Sequence, residues 1–226
     1  MNGKIIALGD SIMKGVTVSK NSIDSCKMEY HICKENFAEK MGTTSGKELI
    51  NLSRFGSTIK VGYKDLSRHL DKIKSGDSVI LEFGGNDCNL DWESIANNPS
   101  EEHLPQTSLS DFSIIYKTMI NTIRERNATP ILLSLPPLDE KRFFNFVSNG
   151  KNGGNILSWL GGSIRYIYTW HEQYNLEVFK IANSESVKII DITSAFLQLK
   201  DYSEYLCDDG MHPNEKGHNL ISKLII

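Results

Sequence analysis

Two short stretches near opposite ends of the chain contain residue types that suit nucleophilic chemistry. Gly9-Asp10-Ser11 ends an apolar run at residues 5–8, and Asp209-Gly210-Met211-His212-Pro213 follows much later in the chain. A serine hydroxyl is a poor nucleophile unless a base accepts its proton and a third group orients that base. Ser11 therefore needs a histidine, a carboxylate, and hydrogen-bond donors for the oxyanion that its attack would create.

The spacing of Asp209 and His212 suits an orienting carboxylate and a base. A tight turn at Gly210 can bring the carboxylate to one imidazole nitrogen, and the other nitrogen can then accept a proton from a serine. Pro213 keeps the backbone of His212 out of the helical region. Taken alone, this stretch also fits a surface turn that caps the last helix, and Asp208 is a second aspartate that could orient the histidine.

Donors for an oxyanion could come from two further stretches. Gly84-Gly85-Asn86-Asp87 follows a predicted strand. Its glycines allow the backbone to approach a ligand closely, and the Asn86 carboxamide can donate to an oxyanion. Gly56 follows another predicted strand, and its backbone amide is a further possible donor. Each stretch also fits an ordinary turn, in which Asn86 or Asp87 caps a helix.

The elements that would position these residues alternate along the chain. Apolar runs predict strands at residues 4–8, 49–52, 78–83, 130–135 and 187–192. Apolar residues at helical spacing predict helices at residues 28–41, 61–73, 109–126, 163–183 and 214–226. This alternation predicts a parallel sheet with helices on both faces, and a single domain over residues 1–226. Since ligands bind outside the carboxyl ends of such strands, residues that follow the strands would share one edge.

Other segments are less regular. Residues 14–25 predict a polar connection, and residues 88–108 predict a loop with a short helix. Residues 139–162 combine aromatic residues with glycines. They predict either a lid or a wall that faces the substrate, or a helix start followed by an Ω-loop packed on its own aromatic residues.

Composition and charge exclude several classes of protein. The chain has 226 residues and a formal net charge of -3, without the basic surplus that phosphate contacts require. No apolar run reaches the length of a membrane span, and the first one is too short for a signal peptide. We therefore expect a cytoplasmic protein that inserts stably into no membrane and has no nucleic-acid partner.

The cysteines do not suggest a disulfide framework or a metal site. Cys26, Cys33, Cys88 and Cys207 form no Cys-x-x-Cys pair and predict reduced thiols. His31 lies near two of them in sequence, but a closed zinc site needs four ligands and the fourth is missing. We expect no bound metal.

The remaining histidines and Asp10 are weaker candidates for chemistry. His69, His103 and His218 are expected to be structural or solvated. His171 could reach a substrate, although a buried core histidine is the favoured interpretation. Asp10 is expected to hold its loop by hydrogen bonds rather than to react.

Taken together and in this order, the serine, glycine, asparagine and aspartate–histidine stretches resemble the SGNH hydrolase family, also called the GDSL esterase/lipase family. The matching blocks are Gly9-Asp10-Ser11, residues 51–58 around Gly56, Gly84-Gly85-Asn86-Asp87 and Asp209-Gly210-Met211-His212-Pro213. They extend from the first predicted strand to the last predicted helix. Ile12 stands where the family name places a leucine, and residues 139–162 match no block.

The resemblance implies a fold and a set of roles. The fold would be a three-layer α/β/α, flavodoxin-like sandwich with a five-stranded parallel sheet. Ser11 would be the nucleophile, His212 the general base and then the general acid, and Asp209 the residue that orients His212. The oxyanion hole would consist of the Ser11 amide, the Gly56 amide and the Asn86 side chain.

The resemblance also implies the hydrolysis of carboxylic esters through an acyl-enzyme, without a metal or an organic cofactor. We expect a serine esterase that removes short acyl groups from a small or carbohydrate-like alcohol. Alternatives are an acyltransferase or thioesterase with the same triad, or a non-catalytic module that binds a glycan or an acylated ligand. A nucleotide binder is disfavoured because no glycine-rich phosphate loop follows the first strand. The oligomeric state stays open.

Overall fold

The computed structural model describes residues 3–20 and 27–225. In chain order, the strands are β1 (Ile5–Gly9), β2 (Val16–Lys20), β3 (Met28–Ile32), β4 (Leu49–Asn51), β5 (Ser78–Glu82), β6 (Thr129–Leu133) and β7 (Lys188–Ile190). The α-helices are α1 (Ser11–Lys14), α2 (Phe37–Ser45), α3 (Ile59–Arg68), α4 (Trp92–Asn97), α5 (Leu109–Glu125), α6 (Glu140–Ser148), α7 (Gly153–Trp159), α8 (Arg165–Ser184), α9 (Ile192–Leu197) and α10 (Glu215–Ser222). Short 3₁₀ turns lie at Leu70–Lys72 and Tyr202–Tyr205.

A five-stranded sheet in the order β4-β1-β5-β6-β7 forms the centre of the fold, and all of its neighbouring strands pair in parallel. These are the strands that the apolar runs predict. Side chains alternate between the two faces of each strand. In β1, Ile6 and Leu8 pack with α3, α5 and α8, whereas Ile5 and Ala7 pack with α1, α2, α9 and α10. The predicted three-layer α/β/α arrangement is confirmed.

The order of the strands places a crevice between β1 and β5. When the five sheet strands are numbered along the chain, their spatial order is 2-1-3-4-5, the flavodoxin-like arrangement. In this arrangement the connections leave β1 and β5 toward opposite faces, so a crevice opens at their carboxyl ends. Gly9 pairs with Glu82 at this edge. Residues that directly follow β1 and β5 therefore meet there.

The segment after α1 differs from its prediction. Residues 28–41 are not one helix, because Met28–Ile32 pairs antiparallel with Val16–Lys20 as a hairpin. The prediction of a polar connection at residues 14–25 is likewise wrong at β2, and residues 21–26 lie outside the described residues. Helix α2 begins only after Asn36, whose side chain accepts a hydrogen bond from the Glu39 amide at 3.0 Å. The β-branched and aromatic residues of both strands favour pairing once a partner strand is present.

Residues 139–162 also differ from one of their two predictions. They form α6 and then a second helix, α7, so no Ω-loop follows the first helix. Asn152 begins α7 by accepting a hydrogen bond from the Asn155 amide at 3.1 Å. Both helices pack with α4 in an apolar cluster beside the sheet. The other prediction, a wall that faces the substrate, stays a prediction.

No helix within residues 3–20 and 27–225 combines the length and the apolar character needed to cross a bilayer. Cys33, Cys88 and Cys207 carry free thiols, and Cys26 lies outside the described residues.

Candidate active site

Ser11 is the first residue of α1 and is separated from the carboxyl end of β1 by Asp10 alone. Asp10 caps this helix, because its Oδ1 accepts a hydrogen bond from the Ile12 amide at 2.8 Å. The helix is a single turn, and Gly15 ends it with a left-handed φ of 84°. This sharp turn holds Ser11 in the crevice, where it is 5% exposed.

His212 lies in the loop before α10 and contacts both of its predicted partners. Its Nε2 is 2.8 Å from the Ser11 Oγ, and its Nδ1 is 2.5 Å from the Asp209 Oδ2. Because the carboxylate can only accept, we assign the ring hydrogen to Nδ1, which leaves Nε2 to accept from the serine hydroxyl. Two consecutive hydrogen bonds thus join the predicted serine, histidine and aspartate.

A tight turn holds the Asp209 carboxylate in place. Its Oδ1 accepts hydrogen bonds from the amides of Met211 and His212, each at 3.1 Å. Gly210 adopts a φ of 74°, and a Cβ at this position would lie 2.6 Å from the Asp139 carbonyl oxygen, so the turn requires glycine. Asp209 is fully buried and His212 is 2% exposed. The hydrogen bonds of this pair are therefore shielded from water and electrostatically strong.

Asn86 follows β5 and reaches the loop that carries Ser11. Its Nδ2 donates a hydrogen bond to the Asp10 Oδ2 at 2.8 Å. A carboxamide nitrogen carries two hydrogens, so one hydrogen can still be donated to a ligand. The predicted serine and asparagine are thus brought to adjacent positions in the crevice, with Asp10 as the link.

Gly56 lies in an exposed loop after β4 with a φ of 68°. This loop joins the end of β1, because the Arg54 amide donates to the Gly9 carbonyl at 3.1 Å. The ring of the neighbouring Phe55 lies parallel to the His212 ring, with the centroids 6.5 Å apart. The loop therefore borders the site, and the Gly56 amide stays a predicted oxyanion donor.

Comparison with known families agrees with this geometry. A model of the GDSL-like lipase/acylhydrolase family matches residues 7–220. The chain belongs to this family. At the level of the family, the protein is an ester-hydrolysing enzyme. Comparison with curated protein sequences gives no match.

Several solved structures share the fold. A lipase/acylhydrolase from Enterococcus faecalis is 19% identical, with 98% of this chain and 93% of that chain covered and a TM-score of 0.66. A lipolytic protein of the G-D-S-L family from Veillonella parvula is 13% identical, with 98% and 94% covered and a TM-score of 0.65. An acetyl xylan esterase, AlAXEase, is 20% identical, with 98% and 97% covered and a TM-score of 0.63.

Glu82 belongs to the candidate site but to none of the four family blocks, and the sequence analysis missed it. It is the last residue of β5 and is fully buried. Its Oε2 accepts from the amides of Met13 at 3.3 Å and Asp10 at 3.4 Å, and its carboxyl group contacts that of Asp10. The available signal was a glutamate that ends an otherwise apolar strand.

Two buried carboxyl groups in contact do not both ionise easily. Burial, and next the charge of Asp10, raise the pKa of Glu82 well above its usual range. Burial also raises the pKa of Asp10, while the hydrogen bond from the Ile12 amide lowers it. We therefore assign Glu82 as the neutral acid of the pair, which leaves Asp10 as a carboxylate that holds Asn86.

Asp87 follows Asn86 and stabilises the start of a neighbouring helix. Both of its carboxylate oxygens accept from the Ile59 amide, at 3.0 and 3.1 Å, so Asp87 caps α3 as one of the sequence interpretations suggested. Burial raises its pKa to about 6, against the lowering effect of this hydrogen bond.

Three other histidines make contacts that do not involve Ser11. His69 and His103 bond backbone carbonyls of Asp65 and Asn98, at 2.8 and 2.9 Å. His218 is fully buried in α10, and its ring stacks on Phe37. Among residues 3–20 and 27–225, no group of three or more His, Cys, Asp or Glu side chains could hold a metal ion.

Proposed function

We propose that this GDSL family member is a serine esterase in which Ser11 is the nucleophile. The observation that carries the proposal is the paired contact of His212, with Nε2 at 2.8 Å from the Ser11 Oγ and Nδ1 at 2.5 Å from the Asp209 Oδ2. In this arrangement the imidazole can take the serine proton at Nε2, while the carboxylate keeps the tautomer and stabilises the imidazolium.

The first half of the reaction forms an acyl-enzyme. The Ser11 Oγ attacks the ester carbonyl carbon as its proton moves to His212. The oxyanion then accepts hydrogen bonds from the unused Asn86 hydrogen and from the Ser11 and Gly56 amides. When the tetrahedral intermediate collapses, the bond to the alcohol breaks, and the alcohol leaves with the proton from His212.

The second half releases the acid. A water molecule gives a proton to His212 and attacks the acyl carbon, and the serine oxygen leaves with that proton. The same groups therefore act in reverse order. Neither half needs a metal or an organic cofactor, so we propose that the enzyme works without one.

The proposed substrate is a short acyl ester of a small or carbohydrate-like alcohol. Two aromatic rings beside His212 support the alcohol part of this proposal. Tyr30 is 44% exposed and Phe55 is 55% exposed, and their rings meet edge-to-face with centroids 5.0 Å apart. Such rings offer apolar surface to the flat face of a sugar or another cyclic alcohol. A structure of similar fold belongs to an acetyl xylan esterase.

We also propose a single domain and a cytoplasmic location, without a nucleic-acid partner.

Labelling and turnover test the proposal. The wild-type protein should hydrolyse an aryl acetate and react with a fluorophosphonate probe, and Ser11→Ala should abolish both. The matched control is Ser67→Ala, an exposed serine of α3, which should keep both. Labelling without any turnover would favour an acyltransferase, a thioesterase or an unsuited ester, and an acceptor or acyl thioester series would separate these. Turnover by Ser11→Ala at the wild-type rate would refute the mechanism.

A further inference from the structure

A narrow cavity adjoins the proposed catalytic residues. Gly85, the neighbour of Asn86, and Met211, the neighbour of His212, both line it. Its other walls come from the loop after β5, from helices α4, α6 and α8, and from the residues just before α6 and just after α7. These lining residues are Cys88, Asn89, Leu90, Trp92, Leu138, Phe143, Leu160, Tyr166, Ile167, Trp170 and His171.

The lining is mainly apolar, and its two tryptophans donate their indole N–H groups to protein acceptors. The Trp92 Nε1 donates to the Asn89 Oδ1, and the Trp170 Nε1 donates to the Cys88 carbonyl, each at 2.8 Å. The His171 Nδ1 lies 3.6 Å from the Glu172 Oε1. The indole hydrogens are thereby used, so the rings present mainly carbon to the cavity.

The cavity is also small. The centre of a water-sized sphere can occupy about 20 Å³ of it, which corresponds to one or two water molecules. A short unbranched hydrocarbon chain fits such a slot, whereas a branched or long chain would require the walls to move. Its lining side chains belong to packed helices, and Phe143, Leu160 and Ile167 are all buried in one cluster.

The geometry points to this cavity as the site for the acyl chain of the ester. The inference rests on the proposed function, because it needs the ester carbonyl to lie between Ser11 and Asn86. The mainly carbon lining of the cavity suits a hydrocarbon chain, whereas the exposed rings of Tyr30 and Phe55 border His212, which protonates the alcohol in the proposed mechanism. The enzyme therefore prefers an unbranched acyl chain of about four carbons to acetyl and to long chains.

The length of the acyl chain should determine how efficiently an ester is hydrolysed. Burying one methylene contributes about 0.8 kcal/mol, or about fourfold in kcat/KM if the contact is kept in the transition state. For aryl esters with the same alcohol, we expect kcat/KM for butyrate to exceed that for acetate by about tenfold. Octanoate should be hydrolysed less efficiently than butyrate, because its chain exceeds the slot.

Two substitutions at Ile167 test the location of the chain. This side chain is 4% exposed and lies at the start of α8. Ile167→Phe should fill the slot and lower the butyrate-to-acetate ratio by about tenfold, whereas Ile167→Val should enlarge it and shift the preference toward hexanoate. Leu176→Phe, an exposed position on the same helix, is the matched control and should leave the ratios unchanged. Circular dichroism and urea unfolding check that each variant is folded.

The outcomes separate this inference from the proposed function. If the wild type hydrolyses acetate and butyrate equally well, or if neither Ile167 variant changes the chain-length profile, the cavity does not hold the acyl chain. A profile that changes with the alcohol but not with the acyl chain would likewise overturn the inference, because the slot would then bind the alcohol. If the wild type hydrolysed none of these esters, that result would instead count against the proposed function.

Discussion

The His212 Nε2 lies 2.8 Å from the Ser11 Oγ, although 201 positions separate the two residues along the chain. Ser11 follows the inner strand β1, and His212 precedes the last described helix, α10. The loop of His212 is held by the hairpin, because the Val18 amide contacts the Cys207 Sγ at 3.2 Å, and the Cys207 amide donates to the His212 carbonyl at 2.8 Å. The position of the proposed base therefore depends on elements from both ends of the chain.

The triad should behave as one unit. Ser11→Ala and His212→Ala should each lower kcat for an aryl acetate by about 10⁴-fold or more, and the double variant should lose little beyond either single variant. The reason is that each residue has no catalytic use without the other. Steady-state kinetics on the three variants measure this, with His103→Ala as a histidine control. Losses that multiply in the double variant would show that the two residues act independently.

Asn86 should matter in the transition state more than in substrate binding. Asn86→Ala removes the hydrogen that we assign to the oxyanion, so kcat should fall by about 10²–10³-fold with little change in KM. Asn97→Ala, an exposed asparagine on α4, is the matched control. The opposite pattern, a raised KM at constant kcat, would assign Asn86 to binding rather than to the oxyanion.

Glu82 should support the site as a hydrogen-bonding neutral acid. Glu82→Gln keeps an acceptor for the Asp10 and Met13 amides and a donor for the Asp10 carboxylate, whereas Glu82→Leu removes both. We expect Glu82→Leu to lower the free energy of unfolding by about 2 kcal/mol and to reduce kcat, because Asp10 and Asn86 lose their support. Glu82→Gln should retain most of both quantities. Urea unfolding and kcat measure the difference, and equal losses in the two variants would contradict the assignment.

Asp87 should make stability depend on pH. Its pKa is raised to about 6 in the folded state, from about 3.8, so the folded protein keeps a proton that the unfolded chain releases. The free energy of unfolding of the wild type should therefore fall, relative to Asp87→Asn, by about 2 kcal/mol as the pH rises from 4 to 6. The substituted amide oxygen can still accept from Ile59. Urea titrations at pH 4, 5, 6 and 7 test this, and parallel pH curves for both proteins would contradict it.

The sequence predicted the sheet and the order of the site residues because their signals are local. An apolar run followed by Gly9-Asp10-Ser11 is interpretable without knowing its neighbours, and so are Gly84-Gly85-Asn86-Asp87 and the Asp209–His212 turn. The same signals could not separate a strand in the hairpin from a helix at residues 28–41. Tyr30 and Ile32 are strand residues there only because β2 supplies the partner hydrogen bonds.

By itself, then, the sequence determined the α/β class, the family and the residues that could form a triad, since short-range patterns and residue types carry that information. Only the tertiary structure decided which groups touch. Long-range packing placed Glu82 against Asp10, gave the Asp87 carboxyl a raised pKa through burial, and enclosed a slot beside Gly85. Distances and burial arise from residues far apart in the chain, so no local pattern can record them.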